Sequence, residues 1–440
     1  MVEVTIHNFR TLLPTIRQLI QASCFVCVDT EFTGLAIDDN NTFNLFDTTE
    51  RRFQKLKSLA DNFLICQIGL SAFVKDQMTN SYTAHSYNFY LFPSVCGSLD
   101  RRFSMQASNT EFLKKHNFDF NKFIYDGIPY LNNDQEKMYG HSVDDLGFTL
   151  VFRDLVKSKK PLLGHNMLVD LCLIYKNFHQ HLPATYEEFK CNIHQMFPTI
   201  IDTKQLSFQL KRPLESYNLL DFNALPELYE AFTSRKGKSV VLFMPNVLHA
   251  DDCMKYKSSG SKYFHEASFD AYCVGYVFLR MAHLVAMNGV RSSEARPVHF
   301  SNYLKLLEHF VNKVNVIRGP VHYIDFGGDD PVASRPQWIV ATTKDRSPLN
   351  IDTLTKQMDE HVSMDVQRIS AHKLIVAVSS HKKADELMEK LYTHDVLHGR
   401  YYSWLRDSST GQEMIWRIIL LTGSAGIICT STLLWWWDIL

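Results

Sequence analysis

Two carboxylates stand two residues apart inside an apolar run near the start of the chain. The run is CFVCVDTEFTGL, residues 24–35, and it places Asp29 and Glu31 among apolar and aromatic neighbours, a pattern typical of a buried strand. Alternate side chains of a strand lie on one face, so both carboxylates point the same way. Like charges on a buried surface are costly unless a cation lies between them. Their oxygens favour Mg²⁺ or Mn²⁺, although a solvated edge strand can carry the same pair.

Three further residues extend this pair. Asp170 follows the glycine turn of PLLGHNMLVD, on the first turns of a helix predicted over 166–182, where a carboxylate can face a sheet edge and a metal. His265 and Asp270 begin a long apolar helix predicted over 265–286. Five residues make about one and a half helical turns, so these two converge only if His265 lies on the preceding loop and reaches over the helix N-terminus. Taken singly, each residue is more often solvated or a helix cap.

Four carboxylates that converge on two divalent ions make a site for phosphoryl transfer. In such a site one ion activates a water molecule as hydroxide and the other stabilises the departing oxygen. A histidine, with an ordinary pKa of about 6.5, is suited to accept a proton from the attacking water. In chain order the candidate constellation is Asp29, Glu31, Asp170, His265 and Asp270.

The elements that must position these residues are those of an α/β domain. Strands are predicted at 24–35, 62–73, 85–93 and 198–202, and helices at 110–125, 142–160, 166–182 and 265–286, with a helix pair at 219–232 that is broken at Pro226. The first three strands favour a β-meander, because they follow one another along the chain with no other strand predicted between them. The alternation of strands and helices predicts one α/β domain with a mixed sheet over residues 1–300.

Beyond residue 300 the order of elements changes. The stretches VHYIDFGG, QWIVATT, a helix at 352–361, KLIVAVS and KKADELMEKLY predict a small α+β module over 301–405, of the ferredoxin-like or RNA-recognition (RRM-like) type. Its strands lack the aromatic signature with which RNA-recognition modules stack bases. We therefore describe the predicted module as degenerate, with a structural or weak RNA-binding role.

The last segment, 414–437, has the composition of a membrane anchor. Residues 415–434 carry one charge, and tryptophans stand at both ends, at 416 and 435–437. About 20 helical residues cross a hydrocarbon core of about 30 Å, and tryptophans suit its interfaces. Arginines precede the segment and only Asp438 follows it, so we predict a C-terminal transmembrane helix, in preference to a buried core helix, with the body in the cytosol. The basic flank favours the mitochondrial outer membrane over the endoplasmic reticulum.

Composition excludes some classes of protein. The 440 residues are 45% hydrophobic and 21% charged, with a formal net charge of −1. A protein coated with basic charge for bulk nucleic-acid binding is therefore excluded, while a local basic channel is not. The nine cysteines have no regular spacing and are typical of reduced cytosolic thiols. Cys24 and Cys27 form a CxxC without a second pair, which argues against a zinc or redox site.

Long stretches of the chain resemble the poly(A)-specific ribonuclease group of the DEDDh exonucleases. These stretches are VDTEFTGL, FDTTERRFQKLK, YNFYLFP, FDFNKFIYDGIPYLN, PLLGHNMLVDL and FHEASFDAY, in order. The resemblance implies a ribonuclease H-like fold, with a mixed sheet flanked by helices. It also implies that the four acids bind two Mg²⁺ ions, for which Mn²⁺ can substitute, and that His265 is the general base.

The chain also departs from that group. Between Asn132 and Pro161 there is no room for the inserted single-strand-binding domain of the soluble deadenylase, and a membrane tail is added. In both respects it is similar to members of the group that trim piRNA precursors. The resemblance then implies a 3′→5′ exoribonuclease that releases 5′-mononucleotides from single-stranded RNA with a free 3′ end. The implied partners are a complex of a PIWI protein with a piRNA precursor, a Tudor-type adaptor and a second copy of the chain. A membrane-bound mRNA deadenylase and a non-catalytic RNA-binding scaffold are the alternatives.

Basic residues near the candidate site are the predicted RNA contacts. Lys257 and Lys262 lie in the cluster KYKSSGSK next to the candidate base, and Arg51 with Arg52 begins another basic stretch. We expect these four to contact the RNA backbone, although scattered basic residues usually form a solvated surface. Phe32, next to the first acid pair, is expected to wedge against a terminal base; the alternative is an ordinary core residue.

Overall fold

A computed structural model describes residues 2–35, 42–93, 95, 99–139, 143–216, 223–253, 263–288, 290–291, 293–345, 347–349, 351, 364–408, 410 and 414. The chain divides into two compact units. The first contains Met1–Phe43 and Asp47–Val332, and the second contains Asn44–Phe46 and Ala333–Leu440. The second unit thus includes three residues from a distant part of the chain.

The first unit is built on a mixed sheet of seven strands within the described residues. These strands are β1 Val2–Val4, β2 Phe25–Phe32, β3 Ile65–Lys75, β4 Ser81–Tyr90, β5 Leu162–Gly164, β6 Ile200–Asp202 and β7 Asn246–His249. The order is β1-β4-β3-β2-β5-β6, and β7 also pairs with β4. The predicted meander is confirmed, since β2, β3 and β4 pair antiparallel. The pairings of β1, β5, β6 and β7 are parallel.

The helices of this unit cover both faces of the sheet. They are α1 Phe9–Ala22, α2 Thr49–Asn62, α3 Ala107–Lys115, α4 Phe120–Tyr125, α5 Asn133–Tyr139, α6 Val143–Leu146, α7 Phe148–Ser158, α8 Leu168–Ile174, α9 Tyr186–Met196, α10 Thr203–Gln209, α11 Lys211–Ser216, α12 Leu225–Thr233, α13 Arg235–Lys238, α14 Ala267–Met287 and α15 Phe300–Leu306. A π-helical turn, Tyr175–His179, extends α8, and a 3₁₀ turn, Glu308–Phe310, follows α15. A hairpin of β8 Lys313–Asn315 and β9 Tyr323–Asp325 completes the unit.

Two of the predicted helices are interrupted for local reasons. The one predicted at 110–125 divides into α3 and α4, because Asn117 is left-handed (φ 60°) and Asp119 caps α4. The one predicted at 142–160 divides at Gly147, whose φ is +39° and whose Cβ would lie 1.9 Å from the Pro129 carbonyl oxygen. Only glycine tolerates that approach. Pro226, which we expected to break a helix pair, instead lies in the first turn of α12, where proline is favoured.

Strand β2 is buried on both faces of the sheet. Val26 and Val28 pack into the core cluster that also contains residues of α1, α2, α7, α8 and α9. Phe25 and Cys27 pack into the opposite cluster, which is dominated by α14. A strand covered on both faces is expected to be almost continuously hydrophobic, as this one is. The two faces of β2 are therefore covered by different helices, and the polar residues at the end of the strand lie beyond these two apolar clusters.

The second unit is a four-stranded antiparallel sheet with a helix on it. Its strands are β10 Ile339–Thr343, β11 Met364–Ser370, β12 Lys373–Val378 and β13 Leu397–Tyr401, in the order β11-β12-β10-β13. Helices α16 His381–Thr393 and α17 Trp404–Asp407 follow β12 and β13 respectively. The stretch VHYIDFGG, which we assigned to this module, instead gives β9 of the first unit. Val314, Val321 and Ile324 of that hairpin pack into the core cluster of the first unit, so the division falls after residue 332 rather than 300.

Two predicted elements lie outside the described residues. The first is the helix at 352–361, and the second is the anchor at 414–437 apart from Met414. Across the residues that are described, no helix combines the length and apolar character needed to span a membrane.

The close packing of α14 against the sheet can be tested by substitution. A Cβ on Gly275 would lie 2.3 Å from the Phe73 ring and 2.9 Å from Cys27 Sγ. In an open helix Gly→Ala stabilises by about 1 kcal/mol, but here overpacking reverses the sign, and we expect Gly275→Ala to destabilise by about 1–3 kcal/mol in urea unfolding. Gly328→Ala is the matched control, because its Cβ would meet no atom closer than 4.0 Å. Stabilisation by Gly275→Ala would contradict this packing.

Candidate active site

The first two acids lie where β2 extends beyond its neighbour. β5 pairs with β2 at Val26 and Cys27, so residues 29–31 lie past the end of that described pairing. On the other side Asp29 faces Gly69 and Glu31 faces Gln67 of β3. The two carboxylates continue the face of Phe25 and Cys27 by alternation, which is the face covered by α14.

Asp270 and His265 reach this face from the start of α14. Asp270 lies in the first turn of the helix and is only 7% exposed. His265 precedes the helix in a left-handed conformation, with a φ of 69°, and its amide donates to Asp270 Oδ2 over 2.9 Å. Ligand atoms of Glu31, His265 and Asp270 all lie within 4.8 Å of one another. The histidine thus lies on the loop and over the helix start, as its spacing required.

A glycine and a glutamine of β3 hold the helix start against the acid pair. A Cβ on Gly69 would lie 2.0 Å from the Ala267 carbonyl group, so the absence of a side chain there allows the helix to approach. The Ala267 amide donates to Gln67 Oε1 over 3.2 Å. Because these residues pair with Asp29 and Glu31 across the strands, β3 sets the position of α14 relative to both acids.

Asp170 approaches from the opposite face of the sheet. It lies in the first turn of α8, and the hydroxyl of Thr30 donates to its Oδ1 over 2.5 Å. Thr30 lies between the two acids of β2 and therefore points the other way. Three consecutive residues of one strand thus serve both halves of the site. Thr30 was not among the residues predicted from the sequence, although its place between two acids was a usable signal.

A second buried acid, Asp202 at the end of β6, shapes the loop before α8. Its carboxylate accepts hydrogen bonds from the amides of Asn166 (2.9 Å), Met167 (3.3 Å) and Asn315 (3.0 Å), and it caps α10. Asn166 is left-handed, with a φ of 60°. This acid was also missed, although an aspartate between an apolar strand and a helix is a recognisable N-cap.

The four predicted acids form one electrostatic cluster. Burial raises the pKa values of Asp29 and Glu31 well above their ordinary range, and the charges of Asp270 and Asp170 raise both further. Burial also raises the pKa of Asp170 to about 6 and that of Asp270 to about 7. Asp270 Oδ1 is buried, and no donor in the described part of the chain reaches it. Buried, mutually repelling carboxylates with an unpartnered oxygen fit a divalent cation.

Phe112 of α3 and His116, which follows this helix, contact the candidate base. The ring centroids of His116 and Phe112 lie 4.0 Å and 4.8 Å from that of His265. Burial and the charge of His116 lower the pKa of His265, so its imidazole is neutral near pH 7 and can accept a proton. Nothing in the sequence placed α3 beside His265, because the two are far apart in the chain.

The residues predicted to contact RNA differ in their exposure and in their contacts within the structure. Phe32 is half-buried and packs against the first core cluster. Arg51 is exposed and lies 3.7 Å from Asp47. Arg52 is only 5% exposed and donates to the Arg318 carbonyl, so the predicted backbone contact of Arg52 is corrected to a structural role. Lys257 and Lys262 lie outside the described residues.

The raised pKa values predict how the metal-free protein responds to pH. A carboxyl whose folded pKa exceeds its ordinary 3.8, as in Asp270, binds more protons in the native state. Its contribution to stability is therefore full below about pH 4 and is lost as pH rises through 7. In EDTA we expect Tm to fall by roughly a few degrees more between pH 5 and 8 in the wild type than in Asp270→Asn. An identical fall in Tm in both proteins would contradict the raised pKa of Asp270.

The Thr30 hydroxyl generates a second test. Groups that orient a ligand typically change metal affinity by about 10–100-fold when removed. We expect Thr30→Val to weaken Mn²⁺ binding by about tenfold in isothermal titration calorimetry, because Asp170 loses its donor. Thr30→Ser keeps the hydroxyl and is expected to bind like the wild type. Unchanged affinity in Thr30→Val would show that this hydrogen bond does not orient the acid.

Comparison with known proteins finds relatives of this chain. The mouse poly(A)-specific ribonuclease PNLDC1 is 29% identical, over 91% of this chain and 94% of its own length. The pre-piRNA 3′-exonuclease trimmer of Bombyx mori is 27% identical, over 97% and 98%. The RNase domain of the yeast Pop2 protein aligns with a TM-score of 0.41 and 15% identity, over 65% of this chain and 86% of that one. The predicted resemblance to the poly(A)-specific ribonuclease group is thus confirmed.

A sequence model of one family matches residues 4–146 and 141–278, a range that contains all five residues of the constellation. With most of the first unit matched, this chain belongs to the CAF1 family of ribonucleases.

Proposed function

We propose that the protein is a metal-dependent 3′→5′ exoribonuclease that trims single-stranded RNA, with piRNA precursors on PIWI proteins as its substrates. The observation that carries this proposal is the convergence of Asp29, Glu31, Asp170 and Asp270 beside His265. The family is one of ribonucleases. The Bombyx mori relative, named a pre-piRNA 3′-exonuclease trimmer, covers 97% of the chain, which supports the choice of substrate.

In this proposal each residue has a defined task. The four acids hold two Mg²⁺ or Mn²⁺ ions, and these ions, when bound, supply an activated nucleophile and stabilise charge at the reacting phosphate. The neutral imidazole of His265 accepts the proton that the attacking water loses. Thr30 and Gln67 do not contact the reacting atoms; through their hydrogen bonds they fix Asp170 and the start of α14.

The RNA end is proposed to enter beside His265. Phe112 is 37% exposed and lies in edge contact with that ring. An exposed aromatic ring beside a nuclease site offers a stacking surface for an unpaired base without regard to its identity. Phe32, Arg51, Lys257 and Lys262 stay proposed as further RNA contacts.

Two alternatives differ in substrate or class. The mouse relative is named a poly(A)-specific ribonuclease, which favours an mRNA deadenylase as the second candidate. A non-catalytic RNA-binding scaffold is disfavoured, because a scaffold has no need of four buried carboxylates that raise one another's pKa.

Location and partners are part of the same proposal. The tryptophan-flanked apolar segment at 415–434 and the arginines before it support a tail anchor in the mitochondrial outer membrane, with the endoplasmic reticulum as the alternative. A Tudor-type adaptor and a second copy of the chain are proposed as partners, in line with the resemblance to the piRNA-trimming members of the group.

The catalytic assignment is tested by paired substitutions. We expect Glu31→Gln, which keeps the shape but removes the charge, to abolish detectable trimming, and His265→Ala to lower kcat by about 10²–10⁴-fold. Both proteins should keep the unfolding midpoint of the wild type within a few degrees, measured by circular dichroism. Glu230→Gln, an exposed change on α12, serves as control. Wild-type trimming by Glu31→Gln would refute the assignment.

The choice of substrate has its own test. Purified protein is incubated with 5′-labelled oligo(A) and mixed-sequence RNAs, in Mg²⁺ or EDTA, with free or 2′-O-methylated 3′ ends. We expect trimming in Mg²⁺ alone, at similar rates on both sequences, and slower removal of a methylated end. A strong preference for oligo(A) would instead support the deadenylase.

A further inference from the structure

The sheet of the second unit has two buried faces with different coverings. Along β12, Leu374, Val376 and Val378 pack with the apolar side of α16. The alternate residues, Ile375 and Ala377, point to the opposite face. There they form a separate apolar cluster whose other members are Leu45, Phe46, Trp338 and Tyr402. On this face, opposite α16, Leu45 and Phe46 therefore cover residues that lie about 290–360 positions later in the sequence.

The contacts of this covering segment are specific. The Phe46 ring meets Trp338 edge-on, at a centroid distance of 5.1 Å and an angle of 69°. Trp338 in turn meets Tyr402 at 5.2 Å and 61°. The Leu45 amide donates to Asp365 Oδ2, on β11, over 2.7 Å. Leu45 and Phe46 are 5% and 8% exposed, which is the burial of core residues.

The ends of the segment are tied together by one lysine. Lys55 Nζ, on α2, donates to the Thr42 carbonyl over 2.7 Å and lies 2.8 Å from Asp47 Oδ1. The Asp47 side chain is fully buried. Thr42 and Asp47 flank the segment, so a buried ion pair closes its base. A tip held in this way loses little conformational entropy when it packs into a partner surface.

We propose that the face of this sheet opposite α16 is an internal docking surface for the tip Asn44–Phe46, and that RNA bases are consequently not stacked there. RNA-recognition modules read single strands with aromatic side chains on that face. Here the aromatic residues of the face, Trp338 and Tyr402, are in contact with Phe46 or with each other. This face is therefore covered by the chain's own hydrophobic tip, and this conclusion does not depend on the proposed nuclease activity.

Hydrogen–deuterium exchange of the full chain in detergent tests the docking. We expect Leu45→Ala combined with Phe46→Ala to accelerate exchange in 364–378 and 397–402 by roughly tenfold or more, because their local opening becomes easier. Tyr392→Ala is the control, since it truncates an aromatic residue of the same module that is 83% exposed. Peptides 25–32 and 65–75 should exchange as in the wild type. If the double variant is globally unfolded, Phe46→Leu replaces it, with the same pattern expected at smaller amplitude.

RNA supplies the second arm of the experiment. Glu31→Gln is saturated with a single-stranded RNA of about 20 nucleotides, with binding verified by fluorescence polarisation, and its exchange is compared with the RNA-free protein. We expect protection around 29–31 and 265–270 and none in 373–378. Protection of 373–378 by RNA, or unchanged exchange there after the tip is truncated, would overturn the proposal. Loss of trimming in any variant would bear on the nuclease assignment alone.

Discussion

Four carboxylates gathered in one partly buried cluster repel one another and lose part of their hydration. That cost appears as raised pKa values, and the charges that act on Asp29 and Glu31 are themselves acidic. Such a cluster persists only if the surrounding elements hold it in place, and only if it serves a task for which the charge is needed. Divalent cations reconcile the two requirements, since they neutralise the acids and use the same oxygens as ligands.

One strand of the sheet, β2, sets the relative positions of the four acids. Because side chains alternate along β2, Asp29 and Glu31 face α14 while Thr30 faces α8, so helices on opposite faces each deliver one acid to the same stretch of backbone. The close approach at Gly69 and the hydrogen bond from Ala267 to Gln67 fix one helix. The Asp202 carboxylate fixes the loop that leads into the other. These supports are rigid elements of the sheet, which suits a site that needs fixed oxygens.

The connection between β2 and α2 also contributes hydrophobic residues to the second unit. It supplies Leu45 and Phe46 to a hydrophobic cluster of the second unit and then continues into α2. At the two ends of this segment the chain is held together by Lys55, which forms a buried ion pair with Asp47. A module that lacks the aromatic signature of RNA-recognition folds, and whose sheet face opposite α16 is covered by Leu45 and Phe46, has the properties of a structural element.

Much of the site was predictable because its signals are local. The D-x-E pair lies in an apolar strand, Asp170 follows a glycine turn, and His265 precedes a helix whose apolar periodicity is clear; the spacing even required the histidine to lie on the loop. The meander β2–β4 was equally predictable, since no other strand was predicted between its members. Interruptions at Asn117 and Gly147 were missed, because they depend on backbone conformation and on a contact with Pro129 rather than on periodicity.

The amino-acid sequence by itself determined which residue types could perform the chemistry, the strand and helices that carry them, and the family to which the chain belongs. Only the tertiary structure decided that Thr30 and Asp202 hold Asp170 and its loop, that Arg52 is buried, that VHYIDFGG belongs to the nuclease unit, and that Phe46 packs on the second sheet. The reason is physical: alternation and periodicity record the local direction of side chains, whereas hydrogen bonds and packing between segments tens to hundreds of residues apart exist only once the chain has folded.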